Sequence, residues 1–177
     1  MKPLPRTEFG NPILRKKAKK VSHAFLRTRA FKTLVKNMIY TMRRVEGVGL
    51  AAPQIGKSLA LVVMELHPTK TRPNLKRYGP IVVVNPRIIS SSKEKESNFE
   101  GCLSFERVRA RVPRARRVVV EYINETGEKV RERATGLWAR IFQHEIDHLC
   151  GRVYMDRVTD MKTLMTEDEF AKRVLRR

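Results

Sequence analysis

The sequence predicts an α+β fold, with mixed or antiparallel β-sheets packed around a central helix and a short helix at the C-terminus. Three observations predict it. Apolar residues recur at helical spacing in three separate segments, β-type runs lie between them, and the two kinds of segment do not alternate as a doubly wound sheet requires.

The first helix is carried by Phe31, Leu34, Val35, Met38, Ile39 and Met42, a stripe at spacings of three and four that Gly47 is placed to cap. A glycine-punctuated segment follows, Gly47-Val48-Gly49-Leu50-Ala51-Ala52-Pro53-Gln54-Ile55-Gly56. Residues 59–66 and 81–89 read as strands, separated by a polar, Pro-containing loop at 67–80. Residues 90–97 read as a second, charged loop, and 118–123 as a third strand. The turn chemistry of Asn124-Glu125-Thr126-Gly127 leads into a hairpin return at 128–133.

A second helix starts near Thr135, a candidate N-cap, and runs through Leu149 to a stop at Gly151. Near the end, Thr166-Glu167-Asp168-Glu169 has the form of a capping box. It opens a tail helix with Phe170, Ala171, Val174 and Leu175 on one side and Lys172, Arg173, Arg176 and Arg177 on the other. The expected organisation is one catalytic domain over residues 1–160 and a basic amphipathic tail over 161–177.

Composition bounds the function classes. The chain of 177 residues holds 38 Lys+Arg against 18 Asp+Glu, a formal charge of +20, which suits an anionic partner such as nucleic acid. The aliphatic runs, Ile81–Val84 among them, fall far short of the roughly 20 apolar residues of a membrane span. No apolar stretch near the N-terminus reads as an export signal. Two cysteines are too few to staple a secreted mini-fold and are expected to be reduced. No strand–loop–helix unit surrounds the glycine-rich segment, so it does not read as a phosphate loop.

The sharpest local signal is His144-Glu145-Ile146-Asp147-His148. Residues four apart on a helix lie one turn above each other, so both imidazoles can reach one metal ion. The same row holds Leu137 and Ile141, which turns it toward the core. Glu145 is one residue round, placed to act on a metal-bound water without being a ligand. Two imidazoles leave a tetrahedral ion short of one protein ligand. Downstream acids Glu167 and Glu169 lie in the tail-helix cap, and Cys150 faces away from the histidine row. Cys102, in Glu100-Gly101-Cys102-Leu103-Ser104, follows a glycine that allows close backbone approach and is the favoured third ligand.

Three segments, 47–54, 100–104 and 143–148, resemble in order and spacing the three signature motifs of the peptide deformylases, and Gly10-Asn11-Pro12-Ile13-Leu14-Arg15 resembles that family's opening. The resemblance covers about residues 5–160. It implies removal of the formyl group from the N-terminal formylmethionine of nascent polypeptides, with release of formate. Cys102, His144 and His148 are then the metal ligands, and Glu145 the general base and acid. Gln54 and the backbone N–H of Leu103 become oxyanion donors. The backbone at Gly47 and Gly49 pairs with the extended substrate, Val48, Leu137 and Ile141 border the methionine pocket, and Arg109 lies near the substrate. The implied metal is one divalent ion, Fe²⁺ in the cell, with Zn²⁺, Ni²⁺ or Co²⁺ in preparations. The expected setting is a monomer in a bacterial cytoplasm rather than an organelle, acting on formylated nascent peptides, and the charge of +20, with Lys172, Arg173, Arg176 and Arg177 on the tail helix, suggests docking on ribosomal RNA. One departure is Glu106, where the family commonly has Pro. Two competing readings are a metalloprotease that shares only the His-Glu-x-x-His helix, and an inactive relative used as a binding module.

Overall fold

A computed structural model describes residues 1–69 and 73–175. Five strands form one antiparallel sheet in the order β1-β2-β3-β6-β7: β1 (Gly49–Ala51), β2 (Leu61–Leu66), β3 (Tyr78–Ser91), β6 (Arg117–Ile123) and β7 (Lys129–Thr135). A second antiparallel sheet has the order β4-β5-β8, from β4 (Lys95–Cys102), β5 (Phe105–Ala115) and β8 (Met165–Thr166). The helices are α1 (His23–Leu26), α2 (Arg29–Arg44), α3 (Gly136–Leu149) and α4 (Glu167–Arg173).

The larger sheet is covered on both faces, which explains the unbroken aliphatic runs. In β2 and β3, Leu61, Val63, Val82 and Val84 point toward α2, where they meet Phe31, Val35, Met38 and Met42. Their neighbours Val62, Met64 and Val83 point the other way, toward Ala139, Ile141, Phe142 and Leu149 of α3. A strand buried on both faces has no polar alternation to show. α3 thus packs against the larger sheet, and it also contacts β5 of the smaller one.

The expected helix at 31–42 is α2, opened by Thr28, whose Oγ1 accepts from the Phe31 N–H at 3.1 Å. Its C-terminus departs from expectation. Glu46, not Gly47, takes the left-handed conformation, with φ of 54°. Its N–H donates to the Arg43 carbonyl and that of Gly47 to the Met42 carbonyl, closing the helix as a Schellman turn. Gly47 is constrained for a different reason, namely that a Cβ there would stand 2.8 Å from Leu103 Cδ1 and displace the tip of that side chain.

The charged loop expected at 90–97 is shorter. β3 continues to Ser91 and β4 begins at Lys95, so a hairpin turn occupies 92–94. Strands β4 and β5, dense in charge, escape the apolar-run criterion, because the smaller sheet is only partly buried. Thr135 does stand at the N-cap of α3, but its side chain makes no capping bond. The capping box at Thr166 is built as expected on one side, with Thr166 Oγ1 accepting from the Glu169 N–H at 3.2 Å. Arg176 and Arg177 lie outside the described residues.

Phe142 is fully buried, with its ring against Trp138 and Tyr122. Phe142→Ala is expected to cost about 3–5 kcal/mol in denaturant unfolding, through lost burial and a residual cavity. A loss under about 1 kcal/mol would show that α3 is not seated in this core.

Candidate metal centre

α3 places His144 and His148 one turn apart on its inner face, with ring centroids separated by 5.0 Å. The turn between β4 and β5 carries Cys102 to the same point, where its Sγ lies 3.3 Å from His148 Nε2. One ligating atom from each of Cys102, His144 and His148 lies within 4.8 Å of the other two. Burial pushes the Cys102 thiol up, but the imidazoles of His148 and His144 outweigh it and bring it down to about 5. A thiolate flanked by two imidazoles is the donor set of a zinc or ferrous-iron centre. The residues therefore fit a divalent ion. The other sulfur, Cys150, is exposed, and Glu167 and Glu169 are engaged with Arg109 and with Arg173.

Glu145 is buried beside the histidines, and its Oε2 has no hydrogen-bond partner among the described residues. Burial lifts its carboxyl above the ordinary carboxylate value, a shift that the histidines oppose and the Cys102 sulfur reinforces. Space for the side chain comes from Gly49, because a Cβ there would lie 2.7 Å from Glu145 Cδ. That close approach is a structural reason for the second glycine of the 47–49 triplet. Gln54 serves two partners at once. Its Oε1 accepts from the Ala51 N–H at 2.8 Å, which fixes the amide so that Nε2 points at Cys102 Sγ, 3.4 Å away.

A cavity of about 410 Å³ opens over these groups. Gly47, Val48, Gly49, Gln54, Cys102, Leu103, Arg109, Leu137, Ile141, His144 and Glu145 all border it. Every site residue expected from sequence is therefore brought to one cavity, except His148, which lies fully buried behind Cys102. Arg109 is not a solvated charge, since its Nε donates to Glu167 Oε2 at 2.5 Å and its guanidinium lies over the Phe170 ring.

Sequence reasoning missed the buried ionic network beneath the histidines. Glu100 accepts from His144 Nδ1 at 2.9 Å, from Arg140 at 2.8 Å, and from Arg114 at 3.0 and 3.1 Å. Burial opposes its ionisation, yet His144 and Arg114 hold the carboxyl well below the usual range. Arg114 also reaches Asp147 at 2.5 Å, and Asp147 is paired with Arg157 at 2.7 and 3.1 Å. A signal was present in Arg140, a charge among Ala139, Ile141 and Phe142 on an inward helix face, where only a paired ion is stable.

A family model described as polypeptide deformylase matches residues 4–164 of this chain. The chain belongs to the polypeptide deformylase family. A peptide deformylase of Thermotoga neapolitana is 43% identical over 157 residues, 89% of this chain and 88% of that protein. A second relative, peptide deformylase 2 of a Nostoc species, is 36% identical over 171 residues, 97% and 94% of the two chains. Among solved structures, the Met-Ala-Ser-bound class I type b peptide deformylase of Acinetobacter baumannii superposes with a TM-score of 0.86 at 36% identity, covering 89% of this chain and 99% of that one. A deformylase fold of antiparallel sheets and few helices is thus common to both, and the metalloprotease and binding-module readings are not favoured.

The ionic network carries a pH-dependent prediction. Burial raises the Asp147 carboxyl, but Arg157 and Arg114 more than compensate and leave it below its ordinary value. Its stabilisation is complete above the unfolded pKa of about 3.9 and is lost as pH falls through the lower folded value. Asp147→Asn should therefore cost about 3–5 kcal/mol at pH 7. That deficit should narrow at pH 3 in urea unfolding, and an equal deficit at both pH values would refute the linkage.

Proposed function

We propose that this chain hydrolyses the N-terminal formamide of formylmethionyl peptides, giving formate and a free amine. The observation that carries the reading is the convergence of a thiol, two imidazoles, an unpartnered buried carboxylate and a side-chain amide on one cavity. Cys102, His144 and His148 would hold one divalent ion. When bound, it supplies a Lewis acid that lowers the pKa of water from about 16 toward about 7.

Glu145 would accept the proton of the attacking water at its free Oε2 and return it to the leaving amine. Its raised pKa suits both directions of transfer. Gln54 Nε2 and the Leu103 N–H would donate to the oxyanion that develops on the formyl oxygen. β1 lies at the edge of its sheet, so the backbone at Gly49 would pair with an extended peptide, and Gly47, whose N–H is held by the Met42 carbonyl, would contribute through its carbonyl alone. Val48, Leu137 and Ile141 would receive the methionine side chain, and Arg109, steadied by Glu167, would bound the peptide's path.

The ferrous ion is proposed as the cellular metal, with zinc, nickel or cobalt replacing it in preparations, because the thiolate–imidazole set suits all of them. The catalytic domain would span 1–160 and the basic tail 161–177. No described helix is long and apolar enough to cross a membrane. The relatives cited are bacterial, which supports action on nascent chains in a bacterial cytoplasm, and the charge of +20 opposes self-association and supports a monomer that docks on ribosomal RNA.

Anaerobically prepared protein should release formate from formyl-Met-Ala-Ser in step with its metal content. Glu145→Gln should keep the metal and lose about 10²- to 10⁴-fold in kcat. Turnover of that variant at the wild-type rate would remove Glu145 from the mechanism. Cys102→Ala should lose the metal, and full retention by elemental analysis would move the third ligand elsewhere. Ribosome co-sedimentation should fall steeply between 50 and about 200 mM salt. It should weaken in Lys172→Glu/Arg173→Glu, and binding indifferent to that change would place the contact outside the tail.

A further inference from the structure

We propose that Arg6, in the N-terminal arm, is a positioning residue for the Cys102–Ser104 loop, acting through the Leu103 carbonyl, with Glu106 as its brace. The inference rests on reading Cys102 as a metal ligand and the Leu103 N–H as an oxyanion donor. Arg6 Nη1 donates to the Leu103 carbonyl at 3.0 Å, across 97 residues of chain. Its Nη2 pairs with Glu106 Oε1. The other end of the same peptide unit is the Ser104 N–H, which donates to Cys102 Sγ at 3.5 Å. One amide plane therefore joins the guanidinium on its oxygen to the sulfur on its N–H. A cation at the carbonyl polarises the amide and strengthens the N–H as a donor to sulfur.

The arm holds the loop at further points. The Phe9 N–H donates to the Ser104 carbonyl at 2.8 Å, and the Phe9 ring lies 4.4 Å from that of Phe105. The Thr7 N–H donates to the Gln54 carbonyl at 2.7 Å, so the same arm ties the Gln54 turn to the cysteine loop. From the opposite side, the Leu103 side chain rests where Gly47 lacks a Cβ. Glu106 occupies the position at which the family resemblance expects a ring-stiffened residue, and Arg107 after it is left-handed, with φ of 62°. The Arg6–Glu106 pair fixes from outside a loop that has no proline to stiffen it there. Both side chains are partly exposed, so the pair adds little to stability and its role is geometrical.

The test compares the full-length, metal-loaded wild type with Arg6→Met, Arg6→Lys and the exchange Arg6→Glu/Glu106→Arg. Readouts are kcat and KM on a formyl-Met peptide, melting temperature, and the thiolate-to-metal absorption band of the Co²⁺-loaded protein. Arg6→Met should lower kcat about 10- to 100-fold. Its KM should stay within about two-fold, and its Co²⁺ band should move to longer wavelength as the thiolate loses hydrogen-bond strength. Arg6→Lys, still a donor, should recover part of both. The exchange should leave melting temperature near that of the wild type but restore neither kcat nor the band, because a carboxylate at position 6 has no proton for the Leu103 carbonyl.

An unchanged band and kcat in Arg6→Met, or their full recovery in the exchange, would overturn the proposal. If Arg6→Met does not fold, the exchange decides alone. A wild type that releases no formate would instead overturn the deformylase reading, while the Co²⁺ band would still decide the role of Arg6.

Discussion

The carboxylate of Glu100 is the point on which the rest of the site depends. It comes from β4, takes the guanidinium of Arg114 from β5, and takes Arg140 and His144 from α3. Three elements of two structural layers are locked through one group, and each of its contacts is charge-assisted or directed at an imidazole. Such a buried ion is costly if any partner is missing, so the network enforces its own completeness. With Nδ1 of His144 committed to Glu100, its Nε2 is the nitrogen left for a metal.

Around that knot, the two conflicting demands on the site are met by different elements. A metal centre needs rigid donors, and α3 would supply two of them from a helix seated in the core through Ala139, Phe142 and Leu149. The proposed peptide entry needs open backbone, and β1 would supply it as an edge strand at the rim of the cavity. Gly49 lies where these meet. Its missing side chain lets the edge strand pass directly over Glu145, which keeps the proposed base beside the proposed peptide path.

The smaller sheet and the termini wrap this centre from outside. The N-terminal arm bonds to the Gln54 turn and to the cysteine loop, and the C-terminal segment adds β8 to β5 and lays Phe170 against Phe99. Arg109 links that tail to the cavity through Glu167. Parts of the chain with little apolar content thus act on the site through polar contacts together with single aromatic anchors, Phe9 and Phe170.

How much was legible in the sequence follows from the range of the interactions. The α2 stripe, the buried runs of β2 and β3, the Asn124–Gly127 turn and the His144–His148 pair depend on neighbours within a few residues, so spacing alone revealed them. Strands β4 and β5 were hidden, because their charges find partners such as Arg114–Glu100 only after folding. Gly47 was legible as special but for the wrong reason: its constraint is Leu103, far along the chain, and not the helix end. Local periodicity determined the fold class of this chain and the helix that carries the His144–His148 pair. Only the tertiary structure decided which acid holds His144, which arginines hold that acid, and what braces the Cys102 loop, because a buried charge selects its partners by proximity in space, which sequence distance does not encode.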